Sequence, residues 1–220
     1  MALREGYRLA EKATLTAVKK ALDSSKKRNF VETVDISINL KDIDLSVPKN
    51  RVQDDVILPN GRGRPVKVCV IGGNEMVAKA KAVADRTLTA DELGKIADDK
   101  KAAKKMAAEF DYFIAEAPLM PTVGKRLGIV LAPRGKMPRP IAPGADPKPF
   151  IETLRKTITV RSKDRKTFHT AVGTAAMTPE QIAENVDAVL KRLITKLERG
   201  QMNIGSVYVK TTMGPSERVM

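Results

Sequence analysis

A single cysteine, a single histidine and no tryptophan leave this 220-residue chain little room for several kinds of chemistry. With Cys69 alone, no intrachain disulfide can form. Cys69 lies in Val66-Lys-Val-Cys-Val-Ile71, an apolar run that predicts a buried strand, where a thiol behaves as a small hydrophobe. One Cys and one His cannot assemble a zinc site of the Cys/His type. A Ser-His-Asp or Cys-His centre would have to use His169 itself. That residue sits in Lys166-Thr-Phe-His-Thr170, a predicted strand among hydroxyls and charges. A structural or phosphate-contacting role suits it better than that of a general base. No apolar run approaches the roughly 18 residues that a spanning helix requires, so no membrane span and no membrane partner are expected. The opening Met1-Ala-Leu-Arg-Glu-Gly-Tyr7 lacks the apolar centre of a secretory signal, which gives a cytoplasmic expectation. Nothing in the chain calls for a metal or a cofactor.

What is abundant is positive charge. Lys and Arg number 40 against 26 Asp and Glu, a formal net charge of +14, and the pI is about 9.9. Such a balance favours a polyanionic partner and speeds encounter with it, without setting the fold. Hydrophobic residues make up 42% of the chain, enough for true cores. The length allows one or two domains.

Apolar residues at helical spacing (Leu3, Tyr7, Ala10, Thr14, Val18, Ala21, Leu22) predict a helix over residues 2–24. The basic cluster Lys26-Lys-Arg28 follows it. Residues 30–40 alternate, with Val34, Ile36, Ile38 and Leu40 on one side and Thr33, Asp35, Ser37 and Asn39 on the other, the pattern of a half-buried strand. A second strand spans Val52 to Leu58. From Pro65 the pattern changes to strand, helix, strand, helix, which argues for a small parallel sheet with covering helices. Thr89-Ala-Asp-Glu92 has capping-box spacing. Helix is predicted from Lys100 to Phe110, strand over 111–115 and helix from Pro118 to Leu127. Gly128-Ile-Val-Leu131 reads as a short strand. Residues 132–144 hold too many prolines for helix or central strand and read as a basic, semi-rigid loop. A helix near 150–157 and strands at 159–161 and 167–172 follow. Thr178-Pro-Glu-Gln181 opens a long helix that runs to Gly200.

Both chain ends thus share one style and the middle another. The expected fold class is α/β (α+β) in two domains. One is a split β-α-β sandwich made of residues 1–64 and 157–220; the other is an inserted, Rossmann-like three-layer domain over 65–156. Residues 1–66 with 157–220 carry +8 and residues 67–156 carry +6, so neither part is acidic. The two crossings fall near Arg64-Pro65 and Lys156-Thr159, a layout that suits a hinge.

The last stretch, Val207-Tyr-Val-Lys-Thr-Thr-Met-Gly-Pro-Ser216, carries the most specific signal. It begins as a strand and is stopped by Gly-Pro. Thr211, Thr212 and Ser216 are then hydroxyls around a turn, Gly214 admits close approach of a partner's backbone, and Met213 offers a polarizable apolar contact. Such a strand end suits a sugar-phosphate backbone.

Three segments together resemble the ribosomal protein L-one family of the large-subunit stalk. They are Asn29-Phe-Val-Glu-Thr-Val-Asp35, Leu131-Ala-Pro-Arg-Gly-Lys-Met-Pro-Arg-Pro140 and Ser206-Val-Tyr-Val-Lys-Thr-Thr-Met-Gly-Pro-Ser216. Thr178-Pro-Glu-Gln-Ile-Ala-Glu-Asn185 fits as well. The short N-terminus and the Arg-Gly-Arg-Pro crossing look archaeal. The resemblance implies direct binding to large-subunit (23S-type) ribosomal RNA, a part in moving deacylated tRNA out of the exit site, and repression of the chain's own messenger. It also implies a monomer off the ribosome and no enzymatic activity. The positions it implies for RNA contact are Phe30, Thr33, Asp35, Ser206, Thr212, Met213 and Gly214, and the terminal turn adds Thr211, Pro215 and Ser216 as candidates. Asp35 stands where bacterial members carry Glu, and Asn29 where many carry Lys.

The chemistry of those residues is compatible with RNA. A carboxylate repels phosphate, so Asp35 should accept from a 2′-hydroxyl or a base amino group, which favours RNA over DNA. Phe30 and Met213 can stack on ribose or base faces, and Ser206 and Thr212 can donate to phosphate or ribose oxygens. Blander alternatives stand beside these: Phe30 as a core residue, Asp35 paired with a surface lysine. Two rival functions also stand. One is a nucleotide-binding enzyme using the Gly72-Gly73 strand-to-helix turn, which lacks both G-x-G-x-x-G and G-x-x-x-x-G-K-[ST]. The other is a general basic nucleic-acid binder that relies on charge alone.

Overall fold

The computed structural model describes residues 2–220, and side chains from residue 12 onward except that of Lys49. The expected inward side chains Leu3, Tyr7 and Ala10 therefore lie outside the described residues. The chain divides into two compact units, residues 1–64 with 156–220 and residues 65–155.

The first unit is an antiparallel sheet covered on one face by two helices. Helix α1 spans Ala2–Asp23 and strand β1 Thr33–Leu40, the latter alternating half-buried and buried throughout. β1 lies in the middle of the sheet. β8 (Thr167–Thr174) flanks it on one side and β9 (Ile204–Thr211) on the other, and β10 (Ser216–Arg218) closes the β9 edge. The second helix, α7 (Pro179–Lys196), opens on a capping box in which Thr178 accepts from the Gln181 amide and Gln181 reaches back to Thr178. The core is formed by Val34, Ile36, Ile38 and Leu40 of β1, Val207 and Val209 of β9, Val18 and Ala21 of α1, and Ile182, Val186 and Val189 of α7. A separate antiparallel pair, β2 (Gln53–Ile57) with β7 (Thr157–Arg161), completes the unit, and Leu58 N donates to Lys156 O at 2.9 Å just beyond it.

The second unit is a parallel sheet in the order β4-β3-β5-β6. Its strands are β3 (Val68–Ile71), β4 (Arg86–Leu88), β5 (Tyr112–Glu116) and β6 (Arg139–Ile141). Its helices are α2 (Asn74–Ala80), α3 (Ala90–Asp98), α4 (Lys100–Glu109), α5 (Met120–Leu131) and α6 (Pro147–Lys156), the last ending one residue into the first unit. β3 is buried along its whole length because it feeds two cores. Cys69 and Ile71 face α3, α4 and α5 through Leu93, Met106 and Leu127, while Val68 and Val70 face α2 and α6 through Met76, Ile151 and Leu154. This is the expected three-layer α/β arrangement. Burial pushes the Cys69 thiol up to about 12, in keeping with a purely structural residue.

Three local expectations are corrected. Gly128–Leu131 is the last turn of α5, not a strand, because Val123, Leu127 and Leu131 recur four apart and are all buried. The proline-rich segment 132–144 contains β6, an edge strand, where Pro140 needs no amide on its outer side. α7 stops at Lys196, four residues before Gly200, because the extended backbone at Leu197 turns that side chain into the core.

The basic loop after α5 is tied inward. Lys136 Nζ donates to Ala107 O at 3.0 Å and Phe110 O at 2.7 Å, and Arg134 Nη1 to Lys104 O at 3.0 Å, satisfying carbonyls of α4 and its end.

Asn185 is fully buried on α7. Its Nδ2 donates to Val172 O and Gly61 O, both at 2.8 Å, and its Oδ1 accepts from Asn60 N at 3.2 Å. One amide thus joins α7, β8 and the loop after β2. Asn185→Ala removes the partner of three backbone groups, one buried and two part-buried, and should cost about 2–4 kcal/mol in urea unfolding. A loss under about 1 kcal/mol would mean that these groups find other partners.

Candidate nucleic-acid interface

The outward residues of β1 are Thr33, Asp35, Ser37 and Asn39. Pairing with β9 sets Lys210, Tyr208 and Ser206 opposite the last three, and pairing with β8 sets Ala171, His169 and Thr167 on their other flank. Ser216 and Arg218 of β10 extend the rows beyond Lys210 and Tyr208. All of these side chains are half-buried or exposed, so four strands present one polar face.

The turn after β9 is fastened to the start of β1. Thr212 N donates to Thr33 O at 3.0 Å. The Thr212 hydroxyl donates to the same carbonyl at 3.2 Å and accepts from Thr33 N at 3.1 Å. Its one proton is committed to the protein, so Thr212 is not the free donor expected from the sequence; it holds the turn in place. Ser206 differs. Its Oγ accepts from Asn39 Nδ2 at 2.7 Å, which leaves its own proton available.

Thr211 is the clearest correction. Expected as a surface hydroxyl, it is completely buried, because its alternation places it on the core side of β9 opposite Val34. Its Oγ1 has no hydrogen-bond partner among the described residues. Gly214 folds directly over it, with Gly214 N donating to Thr211 O at 3.3 Å, and a Cβ at position 214 would collide with Thr211 Oγ1. The glycine is therefore required by an interior contact. Pro215 and Ser216 are exposed, and Ser216 begins β10, an edge strand that the sequence pattern did not announce.

Phe30 is 55% exposed and Met213 60%, so Phe30 is not a core residue. Val31, passed over in the sequence, is 64% exposed beside it. Directly after it, Glu32 is only 5% exposed and ion-pairs with Arg28 Nε at 3.2 Å, while Ala175 N donates to Glu32 O at 2.8 Å. The four-residue spacing of Arg28 and Glu32 was the available signal for that pair. The Asp35 carboxylate has no hydrogen bond or ion pair among the described residues, although Lys210 sits opposite it in register. The alternation Ser206, Tyr208, Lys210 was the signal by which the rest of the face could have been found.

The rival at Gly72-Gly73 has a structural explanation. Gly73 N donates to Glu116 Oε2 at 3.0 Å, so a carboxylate occupies the amide that a phosphate would need. A Cβ on Gly72 would stand 2.7 Å from Met76 Cγ, so that glycine permits close helix-to-strand packing.

The contact between Gly214 and Thr211 is testable by coupling. Gly214→Ala should cost about 1–3 kcal/mol from overpacking. Combined with Thr211→Ala, the total should be clearly smaller than the sum of the single losses, since the colliding oxygen is gone. Strict additivity in urea unfolding would show that Thr211 is not what demands the glycine.

The comparisons with known proteins span both units. A family model described as the ribosomal protein L1p/L10e family matches residues 19–215. The large ribosomal subunit protein uL1 of Methanocella arvoryzae is 56% identical over 213 residues, 96% of this chain and 100% of the relative. The uL1 proteins of Thermoplasma volcanium and Haloferax volcanii are 52% and 49% identical, each over 203 residues and 92% of this chain, and over 94% and 96% of their own lengths. With the two-unit α/β architecture and these matches over nearly its whole length, the chain belongs to the ribosomal protein L1p/L10e family.

Proposed function

We propose that this protein is a structural constituent of the large ribosomal subunit. It binds large-subunit ribosomal RNA directly through the outer sheet face and the turn after β9. The observation that carries the reading is the unpaired Asp35 carboxylate on the central strand of that face, in a unit that also exposes Phe30 and Met213. A protein that met nucleic acid by charge alone would have no use for a carboxylate there. One that reads ribose would, because a 2′-hydroxyl or a base amino group can donate to it.

The residues divide the work. Phe30 and Met213 supply stacking surfaces, each worth roughly 1–3 kcal/mol when a base or ribose covers it. Ser206 donates to a phosphate or ribose oxygen, and Lys210 and Arg218 steer the backbone. Thr33, Thr212, Gly214 and the buried Thr211 fix the turn that carries Met213, while Pro215 and Ser216 line its exit. In this reading residues 1–64 with 157–220 form the RNA-binding domain and residues 65–156 an inserted Rossmann-like domain. Family resemblance adds three finer roles: participation in release of exit-site tRNA, repression of the chain's own messenger through an rRNA-like structure, and a monomeric state off the cytoplasmic ribosome. The names of the relatives and the occupied Gly73 amide support a binding protein over an enzyme.

Filter binding at several salt concentrations tests the central claim. A large-subunit ribosomal RNA transcript should bind far more tightly than duplex DNA of equal length, with affinity falling as salt rises. Equal affinity for both at moderate salt would leave only a general basic binder. Met213→Asp should reduce RNA affinity by at least about tenfold, the loss of one stack plus added repulsion, without changing the unfolding midpoint. An unchanged affinity would place the site elsewhere.

A further inference from the structure

The outer face carries a side-chain ladder across three strands. Asn39, in the central strand, faces Thr167 of β8 on one side and Ser206 of β9 on the other. Thr167 Oγ1 lies 2.8 Å from Asn39 Oδ1, and Asn39 Nδ2 lies 2.7 Å from Ser206 Oγ. Ser206 is aimed there by a bulge. The pairing steps from Asn39–Ser206 to Leu40–Ile204 and skips Gly205, where an added Cβ would stand 3.3 Å from Asn39 O.

An amide carbonyl can only accept and an amide nitrogen can only donate. The Thr167 hydroxyl therefore gives its single proton to Asn39, and the Ser206 oxygen receives one from Asn39. Two hydroxyls of the same chemistry are made unlike. Ser206 retains its proton for an outside partner, and Thr167 retains only lone pairs. Elsewhere on this surface Thr212 spends its proton on Thr33 O, whereas the Ser206 contact with Asn39 leaves its proton unspent.

We propose that Asn39 is a positioning residue of the RNA interface, fixing Ser206 as a hydrogen-bond donor and Thr167 as an acceptor. The proposal rests on the RNA reading of this face given above. A fixed donor suits a phosphate or ribose oxygen. A fixed acceptor, like the Asp35 carboxylate on the same strand face, suits a ribose 2′-hydroxyl or a base amino group. A rotating hydroxyl accepts partners of either polarity; one locked by its neighbour rejects the wrong one, because an unmatched polar group is left at the contact. Asn39 thus sets part of the specificity through Ser206 and Thr167.

Asn39→Asp tests this with little change in shape. A carboxylate accepts on both arms, so the Ser206 proton turns inward and its outward donor is lost. Affinity of the full chain for a large-subunit ribosomal RNA transcript is measured for Asn39→Asp, Ser206→Ala and the double variant, together with the unfolding midpoint of each. The added negative charge acts in every background, whereas the Ser206 donor can be lost only once. Ser206→Ala should weaken binding roughly tenfold and Asn39→Asp roughly thirtyfold. Adding Asn39→Asp to Ser206→Ala should weaken binding by only about threefold more, with all midpoints within about 2 °C of the wild type. An Asn39→Asp effect of equal size in both backgrounds would overturn the proposal, since charge alone would explain it. A midpoint drop that accounted for the affinity loss would also overturn it. If Ser206→Ala and Met213→Asp both left RNA affinity unchanged, the RNA reading of the face would fall, and this proposal with it.

Discussion

The pairing of β1 with β9 is the constraint on which the rest depends. It brings Thr33 against Thr212, 179 positions away in the chain. Closing a loop of that length costs on the order of 5 kcal/mol in chain entropy. The three hydrogen bonds between Thr33 and Thr212, at about 1 kcal/mol net each, do not cover it. The shared core does: Val34, Ile36 and Ile38 from β1 and Val207 and Val209 from β9 are all fully buried, and each contributes about 1.5–3 kcal/mol. The sheet face is therefore held chiefly from beneath, and its polar residues carry only a minor share of holding the strands together. The second unit adds little to the closure cost, because β2 and β7 pair up to Ile57 and Thr157 and the intervening residues fold as a unit of their own. In effect the insert replaces the loop of a hairpin.

Net charge is a poor guide to the interface. Of the cations in the second unit, Lys136 and Arg134 serve the carbonyls of α4 and its end, Arg139 lies 5.2 Å over the Tyr112 ring, and Arg155 reaches Val83 O and Asp85. In the first unit Arg192 and Lys196 are bound to Asp54 and to Gln53 O. These groups still add to the long-range field, which raises the rate of encounter with a polyanion. In the proposed reading, close contact falls instead to the sheet face, where Lys210 lies opposite the Asp35 carboxylate and Arg218 Nε is held by Met220 O at 3.0 Å. On that reading, long-range attraction and close-range selection are carried by different residues.

Much of this was legible in the sequence, for identifiable reasons. The alternation of β1 survives because its inner face meets helices and its outer face meets solvent, so period two is enforced on both sides. The capping boxes at Thr89 and Thr178 form as spaced because they need only four consecutive residues. What was missed depends on distant partners. The run Gly128-Ile-Val-Leu131 is apolar in either conformation, and only the core beneath α5 decides for helix. Thr211 looked like its neighbour Thr212, yet strand parity puts one hydroxyl in the core and the other outside. β10 is too short to carry a periodicity and exists only because β9 has an open edge.

Glycine and hydroxyl motifs invite functional readings that interior packing can absorb. Gly72 is explained by Met76 and Gly214 by Thr211, so neither glycine by itself marks a ligand. What separates the two motifs is the hydrogen-bonding capacity left over around them. At Gly73 the amide that a phosphate would need is already taken by Glu116. On the sheet face Asp35 is unpaired, and Asn39 fixes Ser206 while leaving its proton unspent. Asn185 makes the contrast within one unit, since as a buried amide it spends both arms on the protein and serves stability alone. A polar group that is held rigid yet left with unused hydrogen-bonding capacity costs the free protein little in water and gains only when a complementary partner arrives. That condition is met where β8, β1 and β9 run side by side, and for this reason the proposed RNA contact includes the sheet face as well as the turn.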